Sequence, residues 1–187
     1  MDAALHCFVD RGFYGTAIPE IAEKAGVASG TIYHYFESKE ALVNALFRTW
    51  KTALIQRVFA VFPQTAPPRA QFEVVWQEIV AFALANPTAF AFIELHNHAS
   101  YLDAESLAID RSIKDFAATI LQRAQADGLV KPVEARVLME LVFGAFVAMM
   151  RAQWEGRITL TDAVIRDAKH ACWDAIAIHP PPDRAGG

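Results

Sequence analysis

Residues 16–39, TAIPEIAEKAGVASGTIYHYFESK, constrain this chain more than any other stretch. Thr16 has a side-chain oxygen that can take an orphan backbone N–H at a helix start. Pro19 follows inside that first turn, where a missing N–H costs little. Ile18, Ile21, Ala22 and Ala25 then recur at helical spacing and make one apolar face. Gly26 suits the left-handed backbone of a helix stop, and Val27 is placed to plug the angle to the next element. That element is a helix from about Ser29 to Phe36, with Val27, Ile32 and Phe36 inward and Ser29, Gly30, Thr31, Tyr33, His34 and Tyr35 outward. Ser38 caps a long third helix. Two short helices joined by a glycine turn and followed by a capped third is a helix-turn-helix layout.

The outward residues are small, hydroxylated or aromatic, which suits a surface that closes on phosphates and base edges. Lys39, in the first turn of its helix, opposes the helix dipole. An anionic partner such as phosphate explains it better than local stability does.

These residues also carry a family resemblance. The string T-x-x-x-I-A-x-x-A-G-V-x-x-G-T-I-Y-x-Y-F-x-S-K-E stands at Thr16, Ile21, Ala22, Ala25–Val27, Gly30–Tyr33, Tyr35, Phe36 and Ser38–Glu40. It resembles the DNA-binding domain of the TetR family of bacterial transcriptional regulators. Ala3, Ala4, Phe8, Gly12 and Phe13 are similar to the end of that family's first helix. The resemblance implies phosphate contacts from Thr16, Tyr33, Tyr35 and Lys39, and recognition-helix positions facing the major groove at Ser29, Gly30, Thr31 and His34. Thr16 can equally be a cap alone, and packing is a second role open to Gly30 and Tyr35. Two features depart from the pattern. Ala28 stands where the family often has a capping serine, so the cap either shifts to Ser29 or is lost, at a cost of about 0.5–2 kcal/mol. Met1 falls inside the expected first helix, so its first turn and any basic arm are not in this sequence.

Charge adds nothing to the DNA reading. The chain carries a formal −4. Within residues 1–51, Arg11, Lys24, Lys39, Arg48 and Lys51 face Asp2, Asp10, Glu20, Glu23, Glu37 and Glu40. The basic stripe usual in nucleic-acid binders is weak, so binding must rest on backbone N–H groups, tyrosines and dimeric docking.

Beyond Ser38 every long segment has helical periodicity and none reads as a strand. The expectation is an all-α chain: a helix-turn-helix domain over 1–45, a larger helical domain for ligand binding and dimerisation over 46–179, and a disordered tail over 180–187. Leu42, Leu46, Trp50, Leu54 and Val58 step by four along the long helix. Further helices are expected over about 69–85, 87–98, from an Asp103 cap to a Gly128 stop, from Pro132 to about Trp154, and from a cap near Thr161 to before His179. Residues 137–150 are apolar most of the way round their helix, and such a helix must be covered on nearly all sides. The last helix offers Val164, Ile165, Ala168, Ala171, Cys172, Ala175 and Ile176, a stripe rich in small residues. Together these two helices predict a homodimer interface, with a pseudo-palindromic double-stranded DNA operator as the partner of a two-fold dimer. The 54% hydrophobic content includes no apolar run of the ~18 residues that a membrane span needs. No membrane partner and a cytoplasmic location are expected, with Cys7 and Cys172 as free thiols.

A small apolar ligand is expected in the larger domain, near Trp76, Phe92, His96, Tyr101, Phe143 and Trp154, in a mostly apolar site with a few polar groups. Each of these aromatic residues can also simply belong to the core. Glu94 and His98 can share a helix face, but His96 lies on the other side, so three convergent metal ligands are lacking. No glycine-rich nucleotide loop, nucleophile elbow or HExxH motif is present, and neither a cofactor nor catalysis is expected. The pattern as a whole predicts a ligand-responsive DNA-binding repressor. The alternative is a helical, dimeric interaction module whose DNA-binding head is degenerate.

Overall fold

The structure is a computed structural model that describes residues 1–96, 98 and 100–179. The tail expected over 180–187 lies outside the described residues. Among the described residues the chain forms α1 (Asp2–Arg11), α2 (Ile18–Ala25), α3 (Ser29–Tyr35), α4 (Lys39–Val61), α5 (Pro68–Ala85), α6 (Pro87–Leu95), α7 (Ala104–Ala126), α8 (Ala135–Trp154) and α9 (Asp162–Ile176). The fold is all-α, as the periodicity predicts. No single described helix is long and apolar enough to cross a membrane.

Local chemistry sets most of the boundaries. Gly26 ends α2 in the left-handed region, φ 68° and ψ 30°, which glycine adopts without a Cβ penalty. Ser38 Oγ accepts from Ala41 N at 3.0 Å and starts α4. Asp103 Oδ1 accepts from Ser106 N at 2.8 Å ahead of α7, and Thr161 Oγ1 accepts from Val164 N at 3.3 Å at the start of α9. Each such cap is worth about 1 kcal/mol. Two expectations are corrected. Ala17 rather than Thr16 is the N-cap of α2, and Glu20 Oε2 reaches back to accept from Ala17 N at 3.0 Å. Pro132 does not open α8, which starts at Ala135 with Glu134 as its cap residue.

The chain divides into two compact units, with boundaries inside α5 and α7. The first is Met1–Phe62 with Gln77–Ile113. Its core runs from Leu5 and Phe8 of α1, through Ile18 and Ile21 of α2 and Val43, Leu46 and Phe47 of α4, to Phe90, Phe92 and Ile93 of α6, all buried. Phe8 stacks on Phe13 at 6.1 Å and on Phe92 at 6.2 Å, so α1 is seated against α6 by aromatic contact.

The second unit is Pro63–Trp76 with the described residues from Lys114 onward. Its core gathers Ala124, Val130, Leu138, Trp173, Ile176 and Ala177, with Phe72, Leu121 and Val142 packed against it. One short extended pairing was not legible from periodicity. After Gly128, Lys131 N donates to Ile176 O at 2.8 Å and Ile178 N to Leu129 O at 2.9 Å, an isolated antiparallel bridge that ties the end of α9 to the segment between α7 and α8.

Candidate nucleic-acid interface

The helix-turn-helix surface is built by what α3 does not bury. None of its residues is fully buried; Ile32 and the following Phe36 are half-buried and anchor it. Gly30, Thr31, Tyr33, His34 and Tyr35 are exposed, Ser29 is half-buried, and Tyr33 and Tyr35 stand 54% and 73% open. His34 and Tyr35 meet edge to face at 5.2 Å. The outward set is therefore assembled on one short helix, able to offer hydroxyls, an imidazole and aromatic faces to a duplex. The expected capping serine is lost rather than shifted: Ala28 is the N-cap of α3, and Ser29 is its first residue. Val27 does not plug the interhelical angle and is 42% exposed.

Two residues expected to contact phosphate have partners within the chain. Thr16 is buried, and its hydroxyl faces the carbonyls of Cys7 at 3.0 Å and Gly12 at 2.8 Å, at the end of α1. Gly12 follows the last residue of α1, where carbonyls have no intrahelical partner; the Thr16 side chain serves that end of the helix and points away from the surface. Lys39 Nζ donates to Phe13 O and Thr16 O, both at 2.8 Å, and sits 4.3 Å from the centroid of the Phe13 ring. A lysine at a helix N-terminus does need a negative partner; here it takes two carbonyls and an aromatic face of its own chain.

The remaining cations of residues 1–51 are also held within the chain. Arg11 pairs with Glu20, and Lys24 with Asp10 at 3.7 Å. Arg48 pairs with Asp103 at 2.7 Å, and Lys51 with Glu94 at 2.7 Å and Asp110 at 3.0 Å. The head thus meets a partner with a largely uncharged α3. Between α1 and α2, a cleft of about 340 Å³ is lined by Cys7, Asp10, Arg11, Glu20, Glu23 and Lys24. All but one of these are charged residues, so the cleft has the wrong chemistry for an apolar molecule.

Behind the interface runs a polar seam that sequence reading missed. Asn44, Arg48 and Lys51 recur at i, i+4 and i+7 on α4, a spacing that puts them on one helix face. Asn44 Nδ2 donates to Tyr101 O at 2.7 Å, and its Oδ1 accepts from Asp103 N at 2.8 Å. Lys51 is 7% exposed in its side chain, with Glu94 at 9% and Asp110 at 22%. Burial pulls the Lys51 ammonium toward neutrality, yet the two carboxylates outweigh it and hold its pKa above the ordinary lysine value. The signal was the spacing of Asn44, Arg48 and Lys51 along α4.

The aromatic residues expected around a ligand fall into separate units. Phe92, His96 and Tyr101 belong to the first, whereas Trp76, Phe143 and Trp154 belong to the second. Phe92 is 1% exposed and contacts Phe8 and His98. Tyr101 stacks on Phe13 at 4.2 Å, and its O–H donates to His98 Nδ1 at 2.8 Å. His98 Nε2–H then donates to Phe92 O at 2.6 Å, an arrangement that requires the neutral ring. Burial, with smaller contributions from His96 and Lys51, lowers the His98 pKa to about 4. These residues are structural members of the first unit. Glu94 and His98, which carried the metal reading, are both engaged in these contacts. Among the described residues no group of His, Cys, Asp and Glu is arranged to hold a metal ion.

Comparison with known proteins decides the class. The family description "Bacterial regulatory proteins, tetR family" matches residues 1–46, and "Tetracyclin repressor-like, C-terminal domain" matches residues 47–178. The chain belongs to the TetR family. It is 32% identical over 114 residues to the HTH-type transcriptional repressor KstR2 of Mycobacterium tuberculosis H37Rv, covering 52% of this chain and 56% of that protein. With KstR2 of Mycolicibacterium smegmatis it shares 30% identity over 146 residues, 71% of this chain and 66% of the relative. The chain thus spans between about half and two thirds of the length of these relatives. The crystal structure of a TetR family transcription regulator from Marinobacter aquaeolei VT8 matches with TM-score 0.83 and 26% identity, over 95% of this chain and 93% of that one. Both matching descriptions are of bacterial regulatory proteins, and together they span residues 1–178.

Two outcomes follow. Lys39→Ala removes a charged donor from two carbonyls and lowers stability by about 1.5–3 kcal/mol without any DNA present. Tyr33→Ala changes it by less than about 0.5 kcal/mol. Urea unfolding of both variants checks the contrast, and equal stabilities would return Lys39 to the surface.

The second outcome concerns pH. The folded-state pKa of His98 lies below its unfolded value, so the unfolded chain binds more protons between about pH 6.5 and pH 4. Stability is complete above that window and falls within it, by up to roughly 1.4 kcal/mol per pH unit. His96, also lowered by burial, adds in the same direction. Melting temperatures across pH 4–7 should slope upward in the parent and less steeply in His98→Gln.

Proposed function

We propose that this regulator is a homodimeric repressor that docks the α3 helices of two subunits in successive major-groove half-sites of a pseudo-palindromic operator, and that a small apolar molecule bound in the second unit releases it. The observation that carries the DNA half is the surface of α3. Tyr33 and Tyr35 are large, exposed and without a core role, while neighbouring Thr16 and Lys39 are turned inward. Tyr33, Tyr35, Thr31 and His34 are the proposed contacts, with Ser29 and Gly30 allowing close approach.

The dimer half rests on α8 and α9. Val137 and Leu141 of α8 are 45% and 61% exposed, and Val164 of α9 is 40% exposed. Gly144, Ala145, Ala148, Ala171 and Ala175 are exposed on the same two helices. Large apolar side chains left in water beside small ones fit a surface that a second copy covers. For the switch, a ligand must bind the DNA-free arrangement more tightly than the DNA-bound one. We assign the motion to α4, which follows the head directly and carries the polar seam. The competing reading, an interaction module with a degenerate head, draws support from the uncapped α3 and the inward pairing of the head's cations.

Fluorescence anisotropy with the duplex upstream of the chain's own coding sequence tests this. Tyr33→Ala should weaken binding about tenfold or more, the loss of one hydrogen bond to a charged group. Leu141→Glu should sediment as a monomer and bind at least as poorly, since one head then docks alone. Full affinity from a monomeric Leu141→Glu would remove the dimer from the mechanism, and unchanged binding by Tyr33→Ala would remove α3.

A further inference from the structure

Trp76 is 4% exposed, and among the described residues its indole Nε1 has no hydrogen-bond partner. An indole N–H can only donate. Left unmet in an apolar interior, it costs the full desolvation of that group, a penalty that a ring without a polar atom would not incur. Two aromatic rings lie against Trp76. Phe72 lies 6.0 Å away and Phe146 5.4 Å away, the latter edge-on at 74°. Phe143 stacks on Phe146 at 6.2 Å, and Phe72 continues to Trp173 at 5.4 Å. All of these residues belong to the second unit.

We infer that the Trp76 indole N–H is the polar anchor of the ligand site, and that it selects molecules whose otherwise apolar body carries an uncharged carbonyl oxygen. The inference rests on the proposed binding of a small apolar molecule in the second unit and adds to it the chemistry that is recognised. The N–H supplies one donor beside these rings, so a hydrocarbon of the same shape leaves the donor unmet. A carboxylate would accept the hydrogen bond but would lose its hydration among the rings, and one neutral donor cannot offset that. The cation that this aromatic set does include, Arg69, sits 5.6 Å from the Trp173 ring and is paired with Glu73 at 3.3 Å. A ketone, ester or amide oxygen satisfies the donor without bringing charge.

The full chain labelled with 15N tests this through its indole signals, one for each of its 4 tryptophans. Trp76→Phe identifies the Trp76 signal by its loss. If that variant does not fold, Trp50→Phe, Trp154→Phe and Trp173→Phe identify it by elimination, and the parent spectrum alone carries the test. The probes are acetophenone, ethylbenzene, which has a similar shape without the oxygen, and benzoate. Acetophenone should move the Trp76 signal downfield and ethylbenzene should not. Trp76→Phe should bind acetophenone about tenfold more weakly than the parent and ethylbenzene within twofold, the ratio expected of one net hydrogen bond. Benzoate should bind the parent more weakly than acetophenone. Equal movement of the signal by ketone and hydrocarbon, unchanged acetophenone affinity in Trp76→Phe, or tighter binding of benzoate would overturn the inference while leaving a ligand site in place. If none of the three perturbs the parent, the ligand reading falls first and takes the inference with it.

Discussion

A lysine ammonium cannot be buried alone. Lys51 is among the most buried charged groups of this chain, and it persists there only because Glu94 and Asp110 reach it from α6 and α7. Removing one member of such a cluster costs about 3–5 kcal/mol, because the others are left as uncompensated buried charges. The requirement is geometric as well as energetic. Apolar faces of α4, α6 and α7 could slide past one another at small cost, whereas three charged groups within hydrogen-bond distance admit one register. Asn44 extends the same constraint by holding the backbone at Tyr101 and Asp103. The first unit is therefore keyed along α4 by polar contacts embedded in a core of phenylalanine and leucine.

That keying bears on how the head meets DNA. Its cations serve the fold: Lys39 closes the turn at Phe13 and Thr16, Arg48 and Lys51 hold α4, and Arg11 and Lys24 pair within α1 and α2. The surface left for a duplex is hydroxyl, imidazole and aromatic. A head of this kind gains little from general attraction to phosphate. On the proposed function, its selectivity comes from the fit of α3 to base edges and from the simultaneous docking of two copies, so dimer geometry controls affinity. On the same proposal, a ligand that changes the spacing of two heads has a large effect without touching either interface.

How much of this was legible in the sequence varies by level. The helices and their stops were legible, because Gly26, Ser38, Asp103 and Thr161 act locally, within a turn of where they stand. The exposed face of α3 was legible for the same reason, since periodicity sorts inward from outward. Partners distant in the chain were not. Nothing within four residues of Lys39 says that its ammonium will find the carbonyls of Phe13 and Thr16, and an anion was the reasonable alternative. Thr16 was read as a cap for the helix after it when it serves the end of the helix before it. The aromatic residues grouped as one ligand site are divided between the units: Phe92 and Tyr101 belong to the first, Trp76 and Phe143 to the second. Periodicity assigns a residue to a face and leaves open which face it meets.

The central claim is that two copies of this head read a two-fold DNA site. Selection of bound duplexes from a random pool by the full chain measures it most directly, because the enriched sequence reports the symmetry of the reader. The account predicts two inverted half-sites whose centres lie about one helical turn, or a whole number of turns, apart. Enrichment of a single, asymmetric half-site would contradict the dimeric reading, and no enrichment at all would contradict specific DNA recognition by α3.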